Sequence, residues 1–262
     1  MIAAVRQRVR NQVDLADRLG WRGVASLYAF RHQARFATPL RSPLSRHPLV
    51  ARRGTSDIDV FGQVFIDHEY EFLQTLPVGD GWVVDAGANV GYASARFLTM
   101  FPNARLVAVE PDPGNFAVLL RNLAPFGDRA TAVQGGIWDA DSPLCIAPED
   151  FRDGRAWSLT VREANALDYP VFRGFTLESL FDRFGIDRAA LLKLDIEGSE
   201  TKILRDETSS WIGRVDHVAV ELHPDSPFGD PTALFHDRFA PDFELSTGGE
   251  LAIAHRRPRA TP

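Results

Sequence analysis

Residues 82–111, WVVDAGANVGYASARFLTMFPNARLVAVEP, run through strand, glycine loop, helix, strand and acid in direct succession. Val83 and Val84 lead into Asp85, and Gly87, Asn89 and Gly91 then mark a loop in which glycine lets the backbone approach a ligand closely. Residues 92–100 follow as a helix whose first turn points at that ligand. Residues 106–109 are a second apolar, β-branched strand. Glu110 falls about 20 residues past the loop, where a doubly wound sheet places the carboxylate that accepts hydrogen bonds from two ribose hydroxyls. A parallel α/β sheet with a nucleotide-type pocket is the fold this order demands.

The loop also excludes a class of ligand. A dinucleotide loop reads G-x-G-x-x-G and offers backbone N–H groups to a pyrophosphate, whereas here an acid precedes two glycines four residues apart. Asp85 would repel a pyrophosphate but would suit a ligand with a ribose and a cationic amine or sulfonium. S-adenosylmethionine has that chemistry.

At 262 residues the chain is long enough for one sizeable core with a small appendage. Its 45% hydrophobic and 24% charged content is that of a globular protein. No apolar run reaches the ~18 residues that span a bilayer. Cys145 is the single cysteine, which removes any internal disulfide or paired-cysteine zinc site and fits a reducing, cytoplasmic setting. Residues 1–53 carry eleven arginines against Asp14 and Asp17, while the whole chain has a net charge of −6, so the remainder is strongly acidic. Arg6, Arg8 and Arg10 interrupt any apolar leader. The basic segment is expected to be a helical cap, or a docking surface for a carrier or a peripheral membrane contact. No nucleic-acid partner is indicated.

Pattern and breakers predict a helix over 5–36 with a break near Gly20 and Gly23, a short strand over 56–61 and an amphipathic helix over 65–76. A strand end and helix are expected over 175–184, and further helices over 115–126, 201–211 and 232–239. Strands are expected over 131–138, 156–162, 191–195 and 216–223, with a closing hairpin of 243–246 and 251–255 around Gly248-Gly249. The domains are then a basic helical extension, 1–54, and a catalytic unit, 55–262. Ligand crevices in such sheets lie beyond the carboxyl ends of the strands. Asp85, Glu110, the pair Asp195 and Glu197, and the pair Glu221 and His223 all fall at such ends. Within one strand Glu221 and His223 share a face.

The blocks VVDAGANVGYAS, VAVEPDPGNF, LLKLDIEGSE and VAVELHP, over residues 55–255, resemble the FkbM family of S-adenosylmethionine-dependent methyltransferases. The resemblance implies a class I methyltransferase fold: a Rossmann-like, mostly parallel sheet with helices on both faces and an antiparallel last strand. It also implies methyl transfer, usually to a hydroxyl of a sugar, lipid or secondary metabolite. Cofactor binding carries over to Asp85, Gly87, Asn89, Gly91, Glu110 and Pro111, while Asp195, Glu197 and Glu221 to His223 surround the cofactor and the acceptor. Many methyltransferases have an acid after the third strand to hold the adenine amine. This chain has Gly135-Gly136-Ile137-Trp138, so Gly136 and Ile137 are assigned to adenine through backbone groups, with Asp139 nearby.

A hydroxyl acceptor needs positioning and a proton acceptor. His223 is the first candidate because an unperturbed imidazole titrates near neutrality, and Asp195 is the second. A divalent Mg²⁺ or Mn²⁺ on Asp195, Glu197, Glu221 or His223 is a third arrangement, ranked below the metal-free base. O-methylation is the primary expectation, with an N-methyltransferase or a non-catalytic binding protein on the same fold as alternatives. Tyr70, Trp138 and Trp157 could be core or could close on the ligand.

Overall fold

The computed structural model describes residues 2–32, 39–147, 161–206 and 208–258, with side chains from residue 15 onward. Trp157 and the strand expected over 156–160 lie outside the described residues. The chain begins with α1 (Ile2–His32), broken at Gly20 (φ 65°), a backbone angle that no helix interior holds. After an isolated bridge between Leu40 and Leu49 comes α2 (Asp57–Phe65).

The main sheet uses β1 (Trp82–Ala86), β2 (Arg105–Glu110), β3 (Ala130–Gln134), β8 (Ala189–Leu194), β9 (Val215–Glu221), β10 (Phe243–Gly248) and β11 (Leu251–Arg256). Their order is β10-β11-β9-β8-β1-β2-β3. The strands from β9 to β3 are parallel, and β11 runs antiparallel to both β9 and β10. This is the class I methyltransferase architecture expected above.

The crossovers are α3 (Tyr92–Met100), α4 (Pro113–Leu123), α5 (Leu177–Phe184), α6 (Glu200–Arg205) and α7 (Thr232–Phe239). Period-two alternation sends Val83, Leu106 and Leu191 into one core with α1 to α4. The intervening Val84, Val107 and Leu192 enter a second core with α5 to α7. A small sheet, β4 (Gly136–Ile137), β5 (Pro143–Ile146), β6 (Val161–Glu163) and β7 (Phe172–Phe175), inserts before α5 in the order β4-β7-β5-β6.

Four expectations change. Residues 56–61 begin a helix, because Asp57, Phe61, Val64 and Phe65 form a buried helical stripe that outweighs the alternation of Ile58 and Val60. The helix expected over 65–76 stops as His68 enters the left-handed region (φ 59°), and only a 3₁₀ turn, Glu71–Thr75, follows. The strand over 131–138 splits at Gly135. The helix over 201–211 ends at Arg205, where the Asp206 carboxylate accepts the Thr208 N–H at 3.0 Å and turns the chain.

The described part of the basic segment contributes to the core. Leu19, Leu27, Phe30, Leu40 and Leu49 are buried in the same cluster as Val83 and Leu106. The Tyr92 hydroxyl donates to the Val50 carbonyl (2.9 Å), and Asn122 holds both the Val50 N–H and its carbonyl. Among the described residues, no helix is long and apolar enough to cross a membrane.

Candidate active site

A cavity of about 610 Å³ opens beyond the carboxyl ends of β1, β2, β8 and β9. That size falls in the range of small-molecule sites. Gly87, Asn89, Glu110, Pro111, Gly136, Ile137 and Asp195, assigned to the cofactor from the sequence, line it together with the catalytic candidates Glu197, Glu221 and His223. Asp85 and Gly91 do not.

The glycine loop closes protein against protein. A Cβ on Gly87 (φ 77°) would lie 1.7 Å from the Asp195 carbonyl oxygen, and one on Gly91 (φ 84°) would lie 2.6 Å from Leu119 Cδ1. These glycines allow the loop after β1 to meet the loop after β8 and α4 directly. The expectation that both serve ligand approach is not met at Gly91, which does not line the cavity and whose added Cβ would meet Leu119 of α4. Asn89 (φ 50°) turns its N–H onto Glu110 Oε2 at 2.8 Å, and Glu110 Oε1 accepts from the Asp112 N–H (3.0 Å) and Asn115 Nδ2 (3.3 Å). Burial pushes the Glu110 carboxyl up to about 7 against these three donors. A carboxylate has more acceptor sites than three donors fill, so Glu110 keeps capacity toward the cavity.

Asp85 lies beneath the floor, fully buried. It pairs in register with Lys193 on β8, so the two side chains leave the sheet on the same face. Its Oδ1 is 3.3 Å from Lys193 Nζ, and its Oδ2 accepts the Ser94 hydroxyl at 2.5 Å. Lys193 also donates to the Gly87 carbonyl (2.8 Å) and meets Asp195 Oδ2 at 3.2 Å. Burial opposes the charge on Lys193, but Asp195 and Asp85 hold it protonated well above the ordinary range. The lysine was not singled out from the sequence, although a lone cation in the apolar run LLKLD is the signal that marks it.

Acids cluster beyond the ends of β8 and β9. His223, 6% exposed, faces Glu200 Oε1 with Nδ1 at 3.0 Å, and its Nε2 lies 3.4 Å from Glu221 and 3.8 Å from Glu197. Burial lowers the imidazole pKa, but hydrogen bonds to Glu200 and Glu221 outweigh it and raise it to about 10. The near-neutral titration expected for His223 is therefore not the state in this structure. Glu200, fully buried at the start of α6 and accepting the Ile196 N–H at 2.9 Å, was missed, as was Glu69 in the segment DHEYEF. Glu69 lines the cavity with Tyr70, and burial followed by the charge of Asp195 pushes its carboxyl to about 7.

The wall formed by Gly135 and Gly136 is tight. A Cβ on Gly135 would meet the Arg173 carbonyl at 2.6 Å and one on Gly136 would meet Leu144 Cδ1 at 3.1 Å, so the small sheet packs against a glycine pair. Asp139 is drawn away to Lys202 (2.9 Å). Trp138 is core, edge-on to Phe228 and beneath the Lys202 ammonium.

Comparison with known proteins agrees with this geometry. The Methyltransferase FkbM domain family matches residues 85–244. Methyltransferase sdnD of Sordaria araneosa is 28% identical over 193 residues, covering 62% of this chain and 73% of that protein. Ribosomal RNA small subunit methyltransferase H of Mycolicibacterium smegmatis is 33% identical over 185 residues, 65% of this chain, which spans about half (49%) of that protein. 2-O-methyltransferase NoeI of Sinorhizobium fredii is 25% identical over 166 residues, 58% of this chain and 65% of its own length.

Proposed function

As the chain belongs to the FkbM methyltransferase family, we propose that it transfers a methyl group from S-adenosylmethionine to a hydroxyl of an uncharged, polyhydroxylated small molecule, such as a sugar or a hydroxylated lipid or metabolite. The residues present fit the cofactor. Glu110 offers a buried carboxylate with spare acceptor capacity to the ribose, and Gly136 and Ile137 line the cavity where the base would lie. Asp195, paired with Lys193, lines the same cavity. Bound S-adenosylmethionine supplies a methyl group on a sulfonium with a neutral thioether as leaving group.

The observation that carries the acceptor class is the lining: among the described residues, Glu69, Asp195, Glu197, Glu221, Asp225 and Glu250 line the cavity beside Lys193 and His223. A phosphate-bearing acceptor would enter against that field, so the ribosomal RNA substrate in one relative's name does not transfer here. Hydroxyls donate to carboxylates, and the 2-O-methyltransferase relative supports oxygen as the methylated atom. The chain's own work is to orient the hydroxyl and take its proton. Asp195 and Glu221 accept hydrogen bonds that aim it. Glu69, with a carboxyl near 7, receives the proton close to neutral pH.

Incubation with methyl-labelled S-adenosylmethionine and an acceptor panel of sugars, hydroxylated lipids, amines and RNA fragments, read by mass spectrometry, tests this. Label on hydroxyls of uncharged acceptors is expected. Label confined to nitrogen or to RNA would overturn the acceptor assignment.

A further inference from the structure

We infer that Asp195, Glu197 and His223 form a site for one divalent cation, of the Mn²⁺ type, whose open positions receive the acceptor oxygen. One ligand atom from each of the three lies within 4.8 Å of the others, a spacing that an ion can bridge. Its second half rests on the methyl-transfer reading above; the cation site itself does not.

The imidazole is set for the role. Its Nδ1 is committed to Glu200 at 3.0 Å, which turns Nε2 toward Glu197 and Glu221 at the cavity wall. A carboxylate behind a histidine is the arrangement that fixes ring orientation and raises donor strength in metal sites. Glu200 supplies a second observation. It is 0% exposed, and its Oε2 has no hydrogen-bond partner, a costly state for a buried carboxylate. An ion on Nε2 would offset it through the ring.

Glu197, Glu200 and Glu221 surround one ring. The Lys193 ammonium is shared between Asp85, Asp195 and the Gly87 carbonyl. Two carboxylates with one imidazole make a mixed oxygen and nitrogen set, which favours Mn²⁺ over Mg²⁺ or Ca²⁺. Three protein ligands leave positions open, the condition for an ion that also holds a reacting oxygen.

The test uses the full chain, stripped by a chelator, dialysed and titrated with Mn²⁺ alone while the paramagnetic resonance signal of the free ion is followed. One saturable ion per chain is expected. Glu197→Gln, whose side chain is largely buried but not in the core, and His223→Gln should each weaken binding at least tenfold. Glu200→Gln, which does not touch the ion, should weaken it about 10- to 100-fold, with circular dichroism confirming that each variant is folded. Absence of saturable binding to the wild type, with Mn²⁺ and again with Zn²⁺, overturns the inference, as does binding that all three substitutions leave unchanged. The same preparation is titrated with S-adenosylmethionine. Cofactor binding without the ion removes only the cation site, whereas ion binding without the cofactor keeps the site and removes the function proposed above.

Discussion

Glu110 accepts the backbone N–H of Asn89 at 2.8 Å across the mouth of the cavity, joining the acid after β2 to the left-handed turn of the glycine loop. One carboxylate thus fixes the loop and is available to a ribose. Its titration should report cofactor binding. The Glu110 carboxyl is raised from 4.5 to about 7, so the stability associated with its neutral form is fully present below about 4.5 and is lost as pH rises through 7. Ribose hydroxyls donate to the ionised form and lower the pKa. Affinity for S-adenosylmethionine should therefore rise with pH up to about 7.5 and then level off, with proton release on binding near pH 6.5. Calorimetry in two buffers of different ionisation enthalpy measures this; uptake of protons would contradict it.

Gly87→Ala should destabilise the chain by about 1–3 kcal/mol or more, because the added methyl group lies against the Asp195 carbonyl at a positive φ. Both strand-end loops must part to admit it. The midpoint of urea unfolding gives the number, and an unchanged midpoint would mean that the loops are not in contact.

Lys193→Met leaves Asp85 and Asp195 without their common cation. Removing one partner of a buried pair costs roughly 3–5 kcal/mol. Adding Asp85→Asn to that variant should recover part of the loss, since the buried charge is then gone. Additive losses in the double variant would show that the two side chains do not interact.

Leu27→Ala should cost about 2–5 kcal/mol by opening a cavity, since Leu27 shares the core of β1 and β2. A loss below about 0.5 kcal/mol, with folding intact, would make α1 a detachable docking element.

Glu69→Gln should lower turnover by roughly 10² to 10⁴ with cofactor affinity preserved. In the wild type the rate should rise with pH through about 7, as the Glu69 carboxyl ionises among Asp195, Lys193, Glu221 and Glu250. Initial rates across pH 5.5–8.5 separate this from a pH-independent reaction.

The strand ends were legible because buried parallel strands are apolar runs that stop at a charged residue, so Glu110, Asp195, Glu197, Glu221 and His223 stood out. Which way those charges face was not. Asp85 follows Val84 just as Glu110 follows Val109, yet register with Lys193 turns Asp85 under the floor while Glu110 faces the cavity. Glu200 and Glu69 were illegible for a related reason: each sits in a helix start or irregular loop, where an acid is ordinarily a solvated cap, and only tertiary packing buries them. The small sheet has strands of two to four residues, too short for period two to register.

Titration calorimetry with S-adenosylmethionine, and with NAD as the control, tests the central assignment most directly. Saturable binding of one S-adenosylmethionine per chain is expected, weakened by Glu110→Ala by about 1–3 kcal/mol for the lost charged acceptor, with no heat from NAD. Absence of heat with S-adenosylmethionine and its demethylated product, together with binding of NAD, would contradict it.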